Sequence, residues 1–249
     1  MKQLLKQLLK WKQRTEPEKH LLRYRLLYAA SFLACLFPLP LTFLLRACRS
    51  DKHGPLQHQY GHTFDSLFRR FKYKAVKLLE IGIGGYKNGM GGQSLNAWQC
   101  YFPFGTLVAC DILPREQLQT PRTKIYRLDQ SSEAQLLELR SKEGPFDIIM
   151  DDGSHRSPHQ ILTFKVLFQS VNRGGIYVIE DVQTSYWQDW DGASVTSPAF
   201  ADTCVGYFLE MTKYLNHEEF ADGNAEFREQ AIPVKQIIFE HNLIIVLKG

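Results

Sequence analysis

Five short apolar segments alternate with helical patterns through the middle of the chain, and that alternation narrows the fold more than any other feature. The segments are Lys77–Gly82, Thr106–Asp111, Lys124–Asp129, Phe146–Asp152 and Gly175–Asp181. Helical patterns lie around Ser94–Tyr101, Ser132–Ser141, Ser157–Ser170 and Ala201–Asn216. Strands that alternate with helices predict a parallel sheet covered on both faces. The chain closes differently. Val234–Phe239 and Leu243–Leu247 are β-rich and stand three residues apart, a hairpin spacing that makes the last strand antiparallel. The expectation is an α/β fold with a mixed seven-stranded sheet.

The 249 residues (28.8 kDa) suit one large domain with a small appendage. Charge marks the appendage. The first 52 residues hold 11 Lys and Arg against 3 Asp and Glu, and the rest hold 19 against 23. The net charge of +4 thus combines a basic arm with a mildly acidic body, which leaves the body without the electrostatics of a nucleic-acid binder. The domain reading is an arm over residues 1–50 and a body over residues 51–249. Five cysteines, an odd number with no CxxC pair, exclude a zinc-finger-like site and speak against a disulfide framework. A reducing, cytoplasmic compartment is the default expectation.

Within the arm, Leu4, Leu5, Leu8, Leu9 and Trp11 recur at helical spacing among lysines, an amphipathic pattern suited to an anionic surface. Leu26 to Leu45 then runs without a charge. Basic residues weigh towards the N-terminal flank, which would place the body outside a membrane crossed once. Pro38 and Pro40 also interrupt the run. Two readings stay open. One is a re-entrant or in-plane segment at the cytoplasmic face of a membrane. The other is a helical appendage that buries its apolar face against the body or a second subunit of a homo-oligomer.

Glu80-Ile81-Gly82-Ile83-Gly84-Gly85 follows the first strand. Glycines there let the backbone turn tightly and approach a ligand. No GK[ST] follows and a glutamate precedes the first glycine, so the turn is not a phosphate cradle. The spacing to Gly91 and Gly92 does not match the dinucleotide pattern either. Asp111, ending the second strand, suits a ribose diol, and Asp129, ending the third, suits an adenine amine.

LLEIGIGG, the acid of ACDI, LDQS and FDIIMDDGSH together resemble class I S-adenosylmethionine-dependent methyltransferases. The stretch from Asp151 to Trp187 is similar to the metal-dependent sugar O-methyltransferases of macrolide and rhamnosyl antibiotics. Asp51-Lys52-His53, His58, Tyr60 and Ser94-Leu95-x-x-Trp98 are similar to that group too. The resemblance covers about residues 50–190. It implies a Rossmann-like class I methyltransferase fold, here with an N-terminal helical extension. It gives Gly82 and Gly84 to backbone approach at S-adenosylmethionine, Glu80 to the methionine end, Asp111 to the ribose and Asp129 to the adenine side. The substrate it implies is a sugar hydroxyl of a small molecule or glycan.

Asp152 ends the fourth strand, and Glu180 and Asp181 end the fifth, where an open parallel sheet lines its ligand crevice. Three converging carboxylates repel one another unless a cation intervenes, and oxygen-only ligation favours Mg²⁺. The resembling enzymes use this set. His155, three residues after Asp152, is the expected general base, a role the resemblance also gives it. His159 reads as a supporting or structural residue. Asp151 is expected on the opposite side of its strand from Asp152. Tyr186, Trp187 and Trp190 suit either an aromatic wall against a sugar or core packing. Two other functions stay open: a catechol or vicinal-diol O-methyltransferase, and a membrane-attached cofactor-binding scaffold without catalysis.

Overall fold

The computed structural model describes residues 14–33, 37–54, 58–84, 89–219 and 232–249. The amphipathic pattern of Leu4 to Trp11, together with Cys35 and Gly85, lies outside them. The helices are α1 (Glu16–Ser31), α2 (Leu41–Ala47), α3 (Gly61–Phe68), α4 (Gln93–Tyr101), α5 (Glu133–Glu143), α6 (Ser157–Leu167) and α7 (Cys204–Met211). The strands are β1 (Lys77–Ile81), β2 (Thr106–Asp111), β3 (Thr123–Arg127), β4 (Phe146–Asp151), β5 (Val171–Glu180), β6 (Val234–Glu240) and β7 (Leu243–Lys248). They form one seven-stranded sheet in the order β3-β2-β1-β4-β5-β7-β6.

The chain divides into two compact units. One comprises residues 77–82, 108–113 and 127–249. Within it β1, β4 and β5 are parallel, with Leu79 opposite Ile149 and Ile149 opposite Tyr177. Leu78, Leu79, Ile148, Ile149, Ile176, Val178 and Ile179 have no exposed surface. Such continuous apolar runs belong to strands covered on both faces. β7 pairs antiparallel with β5 and with β6, as the hairpin spacing predicts. The turn is two residues long, His241 and Asn242, because Glu240 still pairs with Leu243; Asn242 takes the left-handed conformation at φ 62°. Phe164 and Phe168 of the α6 end stack at 4.7 Å, and Phe208 of α7 meets Phe164 edge-on. Each buried aromatic of this kind contributes about 2–3 kcal/mol.

The other unit comprises residues 1–76, 83–107 and 114–126. Helix α1 begins at a capping box, in which the Thr15 hydroxyl accepts from Glu18 N and the Glu18 carboxylate accepts from Thr15 N. The apolar run at 26–45 is divided: α1 ends at Ser31 and α2 starts after Pro40, its N-cap. Proline at 40 has no side-chain acceptor for the first turn, and the Asp65 carboxylate of α3 supplies one to Leu41 N at 3.0 Å. Phe64 and Phe68 of α3 pack on Trp98 of α4 at 6.1 and 6.0 Å. Arg122 ties the loop ends together, donating to the carbonyls of Gln99, Phe102 and Gly105 and to the Ser31 hydroxyl. Among the described residues no helix is long and apolar enough to cross a membrane.

Candidate active site

The site is built where β4 and β5 end. Parallel strands place their carboxyl ends on one edge of the sheet, where the following loops are free to carry function. β4 ends at Asp151, and Asp152 leaves it with its N–H donating to Ile81 O of β1. β5 ends at Glu180, and Asp181 follows in the left-handed region at φ 57°. Asp152, His155 and Asp181 converge there. One ligand atom from each lies within 4.8 Å of the others. The His155 Nε2 is 3.8 Å from Asp181 Oδ2, with both side chains about one-fifth exposed. His155 Nδ1 is buried without a hydrogen-bond partner among the described residues. Two carboxylates and an imidazole gathered this closely could hold a divalent cation, and an imidazole can also carry a proton.

The backbone here is unusual. Among the described non-glycine residues with positive φ, His155 (55°), Asp181 (57°) and Asp191 (61°) all stand on loops beyond β4 and β5. Asp and His are among the side chains most often found in this conformation, which is still uncommon outside glycine. Such geometry persists only where its surroundings impose it. The surroundings are a polar network that the sequence did not disclose. Gln130 donates to Asp151 Oδ1 at 2.7 Å and accepts from Ser154 N at 2.8 Å, so one amide spans the base of the turn. A Cβ at Gly153 would sit 2.2 Å from that amide oxygen, so a larger residue there would have to displace the Gln130 amide from its place in the turn. Ser154 Oγ and His159 Nδ1 are 2.8 Å apart, so His159 braces the turn that presents His155. The LDQS signal contained Gln130, but nothing in spacing alone linked it to residues more than twenty positions away.

The other predicted positions divide. Asp151 faces away from solvent, completely buried, with Tyr177 Oη and Gln130 as partners. Burial pushes its carboxyl up to about 7 although those hydrogen bonds oppose the shift. Glu180 is also buried, at 2% exposure, and does not belong to the converging trio. Glu80 has no exposed surface at the end of β1. Asp111 caps its own turn, accepting from Leu113 N at 2.8 Å. Asp129 accepts from Ser131 N and Oγ, and these hydrogen bonds hold its carboxyl below its usual range. Gly82 and Gly84 both have positive φ, for different reasons. A Cβ on Gly82 would lie 2.0 Å from Asp152 O, so it is packed against the chain itself. A Cβ on Gly84 would meet nothing within 4 Å among the described residues, so no such close approach holds it. Tyr186, Trp187 and Trp190 are 48%, 50% and 38% exposed, so they are not core residues. Trp190 lies beside His155, with ring centroids 6.4 Å apart, and under the Arg156 guanidinium, which also pairs with Asp191 at 2.6 Å.

No protein-family model matches the chain. Curated relatives do. It is 40% identical over 172 residues to the 8-demethyl-8-alpha-L-rhamnosyl tetracenomycin-C 2'-O-methyltransferase of Streptomyces olivaceus, covering 69% of this chain and 44% of that protein. It is 35% identical over 205 residues to the demethylmacrocin O-methyltransferase of Streptomyces fradiae, covering 80% and 51%. Among solved structures, the MycE methyltransferase of mycinamycin biosynthesis with Mg and SAH superposes with a TM-score of 0.79 at 32% identity, over 85% of this chain and 54% of that one. The same enzyme with Mg, SAH and mycinamycin VI gives a TM-score of 0.76 at 31% identity, over 86% and 55%. The chain spans about half the length of these relatives.

Proposed function

The chain has the class I methyltransferase fold and is related to the macrolide and glycoside O-methyltransferases, and from that premise we propose that it methylates a sugar hydroxyl with S-adenosylmethionine in a Mg²⁺-dependent reaction. The observation that carries the reading is the convergence of Asp152, His155 and Asp181 at the ends of β4 and β5. Residues 51–249 are the methyltransferase domain in this reading, and residues 1–50 its arm.

Asp152 and Asp181 would hold the ion, with Glu180 as the third carboxylate of the set. Mg²⁺, when bound, lowers the pKa of a sugar hydroxyl and fixes its direction. The protein's own share is positioning and proton transfer. The sugar oxygen attacks the methyl carbon as the C–S bond of the sulfonium breaks, and S-adenosylhomocysteine leaves. His155 takes the hydroxyl proton at Nε2, where the charge that forms faces Asp181 at 3.8 Å. Gly82 and Gly84 supply the turn beside the cofactor, Glu80 the methionine end, Asp111 the ribose and Asp129 the adenine side. Trp190 and Tyr186 offer apolar faces to a sugar ring. Incubation with labelled S-adenosylmethionine and paired glycoside and catechol acceptors tests the reading. Label on the glycoside supports it, label only on the catechol supports the vicinal-diol alternative, and no label on either favours a scaffold.

We also propose that the arm meets an anionic membrane surface. Leu26, Phe32, Leu33, Phe37 and Phe43 are each more than half exposed, and Arg25, Arg46 and Arg49 flank them. Cosedimentation with anionic vesicles, lost in high salt, is the expected result. A dimer in solution without vesicle binding would instead assign these side chains to a second copy.

A further inference from the structure

The N-terminal helix reaches the glycine loop through backbone groups, not only through apolar packing. His20 Nε2 lies 2.9 Å from Gly91 O, so the imidazole donates to that carbonyl. Four residues on, Tyr24 is buried and donor-bonded by Gln99 Nε2 at 3.0 Å, and Gln99 also donates to Thr123 Oγ1 at 2.8 Å. A Cβ on Gly92 would lie 3.3 Å from Tyr24 Cε2, so the ring lies directly against that backbone. On a neighbouring carbonyl, Arg115 Nη1 donates to Gly89 O at 2.6 Å.

Gly91 and Gly92 are themselves the floor under the turn that follows β1. Gly92 N donates to Ile83 O at 2.7 Å. A Cβ on Gly91 would stand 2.3 Å from Ile83 O and 2.5 Å from Gly84 O. Both glycines take positive φ, 68° and 82°, which no ordinary side chain favours. The backbone of Ile83 and Gly84 therefore rests on Gly91 and Gly92, and those in turn are held from beyond by His20 and Tyr24. A loop of glycines has many accessible conformations, and each tie to a rigid helix removes some of them before a ligand binds.

We propose that α1 is a clamp on the cofactor turn, with His20 as a positioning residue that sets Gly84 through Gly91. The inference rests on the reading of that turn as the S-adenosylmethionine site. It makes the helical arm part of the enzyme's cofactor affinity, whatever else the arm touches. His20 contacts no reacting atom, so its effect falls on binding and not on the chemical step.

The test uses the full chain and two variants, H20A, which removes the donor, and H20Q, which keeps an N–H within reach. Hydrogen exchange of the segment around Gly84–Gly92 reads the clamp without any cofactor. Titration with S-adenosylhomocysteine reads its consequence, and thermal unfolding checks that each variant is folded. The expected result is faster exchange in H20A, an affinity lower by about fivefold, as loss of one hydrogen bond predicts, and recovery of both in H20Q. KM for S-adenosylmethionine should rise while kcat at saturation stays within about twofold. Unchanged exchange in folded H20A overturns the clamp. Faster exchange with unchanged affinity overturns its service to the cofactor. Wild-type chain that binds no S-adenosylhomocysteine overturns the cofactor reading of the turn, and the exchange arm still decides whether His20 holds the loop.

Discussion

At the scale of single residues, two glycines separated by one position have different work, and the difference is measurable. Gly82→Ala would drive a Cβ into the Asp152 carbonyl, backbone that cannot swing aside, and would also force a positive φ on alanine. Gly84→Ala bears the φ cost alone, about 1–2 kcal/mol. Chemical denaturation should show Gly82→Ala losing clearly more stability than Gly84→Ala, and equal losses would mean that the close approach at Asp152 is relieved without cost. His155 gives a second residue-scale prediction. H155A should lower kcat by about 10²–10⁴ while S-adenosylhomocysteine affinity stays near wild type. A fall in affinity as steep as the fall in rate would remove it from proton transfer. Glu180 gives a third prediction at this scale. The Glu-Asp pair reads as two ligands, yet a strand end sends successive side chains to different sides, and only Asp181 joins Asp152 and His155. Calorimetry of Mg²⁺ binding with E180Q decides between them: weakening keeps Glu180 as a ligand, and unchanged binding leaves Asp152 and Asp181 to hold the ion.

At the scale of elements, the strands were legible and the supports of the site were not. β1, β4 and β5 are apolar runs ending in glycine or acid, and their termini could be read to within a residue or a few; β5 begins four residues earlier than expected, at Val171, because Asn172 and Arg173 extend beyond the apolar stretch. The hairpin of β6 and β7 followed from spacing alone. Gln130, Ser154 and His159, which hold the turn after β4, were hidden because side-chain hydrogen bonds between loops leave no period in a sequence. Asp65 was hidden in the same way. Pro38 and Pro40 marked an interruption of the apolar run, but nothing marked the carboxylate, twenty-four residues beyond Leu41, that caps the helix after it. D65A should cost about 1 kcal/mol, the usual worth of a cap. Burial raises the Asp65 pKa, yet the hydrogen bonds from Leu41 N and Arg69 outweigh it and leave the carboxyl depressed. A depressed acid stabilises the fold above its unfolded pKa of about 4 and loses that contribution as pH falls through the folded value. The stability gap between wild type and D65N should therefore be present at pH 7 and close below about pH 4. A gap that persists in acid would trace the loss to packing.

At the scale of the whole molecule, the seven-stranded order and the relatives agree on the fold, while the chemistry rests on a few side chains at one edge of the sheet. The asymmetry of charge between arm and body was visible in composition, but the division of the apolar run into α1 and α2 was decided by Pro38, Pro40 and the burial of Leu41, Leu44 and Leu45. What that edge is proposed to do is Mg²⁺-dependent methyl transfer to a sugar. The most direct test gives chelator-treated full chain methyl-labelled S-adenosylmethionine and a set of deoxysugar and rhamnose glycosides, with and without added Mg²⁺, and measures label on the acceptor. Labelled glycoside is expected only when Mg²⁺ is restored, and that label is expected to be lost in D152A. Equal labelling in the presence of chelator, or no labelling of any glycoside by folded chain that binds S-adenosylmethionine, would contradict it.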